Sequence, residues 1–287
     1  MSIKNLIKAL FLLLVSRSQA QQFSKEVEFL NHLEEINQYK EAVYYVDQIF
    51  PIYQRTTQLD SLHFLKARYY YLQKDIHASI RSFGNVSMQS KNLWEISRIY
   101  MAFQSSYDQH VEESDHLWNT TGFVSPVRKE LKVFEMASNS LLRRDFAGFD
   151  SLSNSFTYNY YELADYERDM QKLAETLKSK KKKSPFVAGL LSALVPGGGR
   201  FYQGKIGQGS VGLLSTALFG LQAYEAFRKD GVGSARFVIF GGIFSAFYVA
   251  NIWGSVVSVR VNEVRFNHDV NETILINMHL PIRLLFD

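Results

Sequence analysis

The sequence predicts an all-α protein in two parts. An exported helical-repeat domain comes first; a two-helix transmembrane hairpin with a short interfacial or re-entrant helix follows. Three observations predict this. Residues 22–180 carry apolar and aromatic side chains at three- and four-residue spacing, with few prolines or glycines. Ile206–Tyr224 and Phe237–Val257 hold no charged residue over 19 and 21 positions, and about 20 helical residues cross a bilayer core. An apolar run stands behind two lysines at the N-terminus.

The bulk properties narrow the class without naming a reaction. A chain of 287 residues accommodates one or two domains with a proper core. A hydrophobic content of 46% against 21% charge excludes disorder. The net charge of +4 is mild, and Lys178, Lys180, Lys181, Lys182 and Lys183 supply a local cluster, so nucleic acid is not an expected partner. With no cysteine, disulfides, thiolate metal sites and cysteine nucleophiles are excluded, and any redox compartment is compatible.

Residues 1–20 read as a secretory signal peptide. Lys4 and Lys8 precede the apolar stretch Ala9 to Val15, and Ser18-Gln19-Ala20 supplies the small-residue cleavage site. An amphipathic first helix is the alternative, but the apolar run has no polar face.

Residues 21–183 form the expected exported domain. Phe29, Leu30, Leu33 and Ile36 open the helical periodicity; Leu62, Leu65, Tyr69 and Leu72, then Leu93, Ile96, Ile99 and Tyr100, continue it. Aligning the turns gives markers Tyr39, Asp75, Tyr107 and Phe146, separated by 36, 32 and 39 positions. The stretch "LHFLKARYYYLQKDIHASIRSF", residues 62–83, resembles a tetratricopeptide repeat, whose period is about 34 residues. In that resemblance Ala67 and Ala78 are the close-approach positions, and Tyr70, Ile80 and Phe83 are packing positions. The usual inter-helix glycine is absent and the other units match poorly, so an irregular helical bundle stands as the alternative. A repeat array implies peptide or protein binding through an extended surface.

A helix beginning near Tyr158 is expected to run into the lysines without a breaker. Cations suit a helix C-terminus, which makes a solvated helix end one reading. An apolar region begins at once, so contact of Lys180, Lys181, Lys182 and Lys183 with anionic lipid head groups is the other.

Residues 184–205 are the expected interfacial or re-entrant segment. "FVAGLLSALV" is too short to span, and Pro196 ends it before a glycine-rich turn. The hairpin itself is expected over 206–257, with spans at 206–226 and 237–257. Gly212, Thr216 and Gly220 lie four apart on the first span; Gly242, Ala246, Ala250 and Gly254 do so on the second. Such stripes let helix backbones approach in lipid, which would place Phe219, Phe244 and Phe247 toward lipid or another subunit. Self-association through the hairpin is a further expectation. Residues 258–287 form a tail, read as a short helix followed by an extended segment, packing back on the hairpin or the helical domain.

The turn "VPGGGRFYQGKIGQGS" comes close to two nucleotide-binding patterns. Gly199 to Lys205 reads G-x-x-x-x-G-K, but Ile206 stands where a nucleotide loop needs Ser or Thr for magnesium. Tyr202 breaks the dinucleotide pattern begun by Gly197 and Gly199, so no nucleotide or other cofactor is expected. His110 and His116 sit among three carboxylates but six apart, on different helix faces, so no metal is expected either. No catalytic constellation is evident.

Pro196, Gly197, Gly199, Tyr202 and Gly204 fit P-G-x-G-x-x-Y-x-G, and the segment from Lys183 on resembles a two-span hairpin family of bacterial envelope proteins. The similarity covers roughly the last hundred residues. Trp253-Gly254 stands where that family often has Tyr-Gly. The resemblance implies architecture, frequent fusion to exported helical domains, and no established enzymatic activity.

The expected location is the bacterial inner membrane, with residues 21–183 and the C-terminus in the periplasm. Arg228, Lys229 and Arg236 in the connecting loop fit a cytoplasmic side, while the lysine cluster outside runs against the same rule. The expected function is a non-enzymatic, membrane-anchored scaffold or adaptor that binds an unidentified protein or peptide. The alternative is a small oligomeric membrane module, pore-like or assisting membrane-protein assembly, with the helical domain as an accessory.

Overall fold

A computed structural model describes residues 21–286; the expected signal peptide, residues 1–20, lies outside them, as does Asp287. The described residues are helical with short connections and contain no strand. The chain divides into two compact units. Among the described residues, one comprises 21–174 together with 274–286, and the other comprises Glu175–Thr273.

The first unit begins with α1 (residues 21–35). It continues through α2 (Tyr39–Ile49), α3 (Thr56–Leu72), α4 (Ile76–Gly84), α5 (Lys91–Tyr107), α6 (Val111–Thr120), α7 (Pro126–Leu142) and α8 (Phe146–Ser153), and most of α9 (Tyr161–Ser179). Four connections share one backbone geometry. Asn37, Lys74, Gln109 and Arg144 each adopt a left-handed conformation, with φ of 58°, 63°, 66° and 61°. In each case the next N–H turns back to the carbonyl five residues before it: Gln38 to Leu33, Asp75 to Tyr70, His110 to Ser105 and Asp145 to Ser140, at 2.8–2.9 Å. This closes a helix with its last carbonyls satisfied and starts another at once. The four turns therefore pair α1 with α2, α3 with α4, α5 with α6 and α7 with α8.

The left-handed residues recur at intervals of 37, 35 and 35 positions. That register is more even than the one given by Tyr39, Asp75, Tyr107 and Phe146. The third marker was misplaced: Tyr107 is the last residue of α5, whereas the equivalent start of a helix is Val111. Seven residues before each left-handed position stand Leu30, Ala67, Ala102 and Ala137, all fully buried. Five residues after it stand Ala42, Ser79, Ser114 and Phe149, at most 1% exposed. Small side chains at most of these places let paired helices touch, and Ser79 Oγ donates to the Ala67 carbonyl at 2.9 Å. Ala78 is buried beside it, and Phe83 is buried as expected; Tyr69, not Tyr70, is the fully buried tyrosine of that pair.

Neighbouring pairs are tied by polar contacts roughly one interval apart. Arg68 Nε donates to Glu34 at 2.9 Å, and Arg128 meets Glu95 at 2.6 Å. Ser106 Oγ donates to Asn139 at 2.6 Å, and the Asn139 amide donates to Ser114 and Asp115. Buried amides and hydroxyls satisfied in this way fix the register of one pair on the next.

The second unit contains α10 (Pro185–Leu194), α11 (Gly198–Tyr202), α12 (Ile206–Asp230) and the first part of α13 (Ala235–Phe286). The helix expected to enter the lysines stops at Ser179, leaving 180–184 irregular. Ser184 Oγ caps α10 by accepting from the Val187 N–H, and Pro185 follows at the first helical position.

The tail departs from expectation. Residues 258–286 continue α13 without an extended segment, through Pro281. A proline inside a helix costs about 3 kcal/mol. Ile274, Met278 and Ile282, spaced by four, are fully buried, and each such side chain contributes roughly 1.5–3 kcal/mol. Burial outweighs the break.

Candidate functional site

The glycine-rich segment folds as a tight knot between α10 and α12. Val195 is extended, Gly197 takes φ of +84°, and α11 follows for a single turn. Gly204, at φ +78°, then leads into α12. The glycines divide by the space around them. A Cβ on Gly197 would lie 2.1 Å from the Gly209 carbonyl oxygen, and one on Gly199 would lie 2.1 Å from the Ala188 oxygen. Both positions admit only hydrogen. Gly207 faces open space, and Gly204 is required for its φ alone.

A chain of polar groups fastens the knot. Ser192 Oγ donates to Ser255 Oγ at 2.7 Å and accepts from the Gly199 N–H at 2.9 Å. The Gln203 amide donates to the carbonyls of Gly199 and Ser255. Its oxygen accepts from Asn262, whose own oxygen accepts from Lys205 Nζ at 2.8 Å. Lys205 also donates to Ser258, while Arg200 donates to Gln208. Burial, and then the nearby Arg200 and Arg265, push the Lys205 pKa down from its ordinary value.

This arrangement bears on the nucleotide motif. The N–H groups of Gly198, Arg200, Phe201, Gln203, Gly204 and Lys205 bond to carbonyls of Val195, Gly197, Arg200 and Phe201, and that of Gly199 to Ser192. A phosphate cradle needs such donors turned outward. Here they are spent within the knot, and the motif lysine points at α13.

The remaining signature residues are placed as follows. Pro196 is half-buried after α10. The Tyr202 hydroxyl accepts from the Ser184 N–H at 3.2 Å, and Lys183 donates to the Tyr202 carbonyl at 2.5 Å. Lys180 Nζ sits 3.2 Å from the Phe266 ring centroid, and Lys181 and Lys182 are exposed. Lys180, Lys181 and Lys183 share a cleft with Gln203, Asn262 and Phe266.

α12 and α13 pack through one small-residue stripe, not two. Asn251 donates to the Gly212 carbonyl at 3.0 Å and to Thr216 Oγ1 at 3.1 Å. The Phe244 ring covers Gly220, and Phe219 stacks on Phe247 with centroids 5.1 Å apart. Phe219 and Phe244 are thus half-buried in the helix pair, whereas Phe247 remains exposed, so only part of the face expected to meet lipid or another subunit is turned outward. Gly242, Ala246 and Ala250 are exposed, and Gly254 lies against Arg200. Small residues of α12 thus receive large ones of α13, because Asn251 finds polar partners only on that face.

Among the described residues, α13 alone is long and apolar enough to cross a membrane. Its most apolar 18-residue window has a mean hydropathy of 1.6 and none of it is buried. α12, diluted by Gly, Ser, Thr and Gln, is less apolar, yet Leu214, Leu218 and Leu221 on its outer side are exposed.

Sequence reasoning missed Ser192, Ser255, Gln203 and Asn262. A signal was present: Asn251, Ser255, Ser258 and Asn262 form a polar row of helical period along α13. His110 and His116 lie at the start of α6 and on its exposed side, and His110 is 3.4 Å from Asp108. No family model, curated protein or solved structure matches this chain.

Proposed function

We propose that the chain is a non-enzymatic scaffold or adaptor of the bacterial envelope, anchored in the inner membrane, whose helical unit binds a protein or peptide. One contrast carries the reading. The helical unit is a stack of like pairs joined side by side, whereas α12 and α13 present apolar side chains outward. Stacked pairs offer extended binding surfaces, and exposed rows such as Leu214, Leu218, Val249 and Trp253 need lipid to cover them. The pairs are taken as a degenerate tetratricopeptide-like array. α12 and the 237–257 part of α13 are taken as the transmembrane hairpin, with α10 in the interface. Residues 21–183 and the C-terminus then lie in the periplasm, and Lys180, Lys181, Lys182 and Lys183 meet anionic head groups.

Two experiments test this reading. Reporters fused at residue 231 and at the C-terminus report topology; phosphatase activity at 231 but not at the C-terminus would overturn it. Crosslinking followed by purification should recover a partner joined to the helical unit. The second reading, a small oligomeric membrane module, draws on the exposed Gly242, Ala246 and Ala250, a stripe free to meet another copy. Recovery of self-multimers alone, joined through the hairpin, would favour it.

A further inference from the structure

The last three turns of α13 belong to the helical unit by contact, yet they join no helix pair. Ile274, Met278 and Ile282 are fully buried, while Ile276, Leu280 and Leu284 are exposed on the other side. The segment touches the first helices of successive pairs. The His279 ring stacks on Phe103 of α5 at 5.0 Å and 12°, and its Nε2 hydrogen-bonds the Tyr71 hydroxyl of α3. Arg128 of α7 lies over the Phe286 ring at 5.5 Å. Arg283 lines a cleft with Glu34 and Glu35 of the first pair and Arg68 of α3. Repeat stacks hold themselves together by nearest-neighbour contacts. A segment laid across several pairs instead covers a face that they share, in the manner of a helix in a groove.

We propose that the face built by the first helices of the pairs is a recognition groove for an amphipathic helix, and that residues 274–286 are its built-in, displaceable occupant. The external partner is then a protein helix of matching chemistry. It carries apolar side chains at i, i+4 and i+8, as Ile274, Met278 and Ile282 do. A flat ring at i+5 lies on Phe103, and a cation at i+9 enters the cleft beside Glu34 and Glu35. This inference deepens the scaffold reading and rests on it. Tethering makes the chain's own segment a competitor, and the apparent affinity for a partner falls by the fraction of grooves that are open.

The test uses the full chain in detergent and a fluorescein-labelled peptide of residues 270–286. Met278→Glu in the protein weakens the resident segment without altering any residue of the groove. The peptide should bind this variant at least about tenfold more tightly than wild type. A peptide carrying the same glutamate should not bind either protein. Hydrogen exchange of the variant should accelerate over 274–286 while α3 and α5 stay protected. Equal peptide affinity for both proteins, or lost protection of α3 and α5, would overturn the proposal, since the segment would then be ordinary core. Missing crosslinked partners with peptide capture intact would sink the scaffold reading and leave the groove standing.

Discussion

Replacing Glu167 by Gln should remove one proton's share of the pH dependence of the helical unit's stability and leave the share of buried Glu135 in place. Glu167 on α9 is fully buried; one of its carboxylate oxygens accepts from the Tyr158 N–H at 3.2 Å, and the other has no donor. Burial, then the hydrogen bond and charge of Glu130, push its pKa from the ordinary 4.5 up to about 8. Between those values the folded chain holds a proton that the unfolded chain has released. The contribution of Glu167 is therefore fully present below about pH 4.5, falls as pH rises toward about 8, and is gone beyond. One such proton is worth about 1.4 kcal/mol per pH unit, so between about pH 6 and about pH 7.5 wild type should lose roughly 2 kcal/mol more than the Gln variant. Glutamine still accepts from Tyr158, and its amide can donate to Glu130. Urea titrations followed by emission of Trp118, which is buried in this unit, supply the measurement. A shallower slope for Glu167→Gln, with greater stability at alkaline pH, is expected. Parallel slopes for the two proteins would refute the assignment.

Other substitutions probe the turns and the knot. Lys74→Gly and Gln109→Gly relieve left-handed residues and should each stabilise the helical unit by roughly 0.5–1 kcal/mol in the same titration. Gly199→Ala drives a methyl into the Ala188 carbonyl and should lower thermal stability of the second unit by about 2 kcal/mol or more, whereas Gly207→Ala should leave it unchanged. Asn251→Leu removes the donor to the Gly212 carbonyl and Thr216 Oγ1 and should cost about 1 kcal/mol of α12–α13 association, read by steric trapping in bicelles.

The helical class and the change of composition at Ser184 were legible because periodicity and charge are local properties. The even turn register was hidden because Asn37, Lys74, Gln109 and Arg144 hold a conformation that usually announces itself as glycine. Small residues at fixed offsets, Ala67, Ala102 and Ala137, carried the same information. Buried Glu135, whose burial raises its pKa well above the ordinary carboxylate range, sits among charged neighbours in "RKELKVFEM" and reads as solvated helix. The choice of Phe244 and Asn251 over the Gly242 stripe depends on rotation of α13, which a four-residue spacing alone does not set. Pairing of Tyr71 with His279 spans 208 positions and leaves no periodic trace.

That separation fixes an order of events during synthesis. The helical unit closes its stack by Ala174, but its final segment begins at Ile274, about 100 residues later. At elongation rates of about 5–20 residues per second, roughly 5–20 s pass before that segment exists. Throughout this interval Phe103 and Tyr71 lack His279 and keep their ring contacts to Tyr107 and Tyr100. On the groove proposal, a helix that reaches this face in those seconds meets it before the resident segment exists, so timing as well as affinity would decide the encounter.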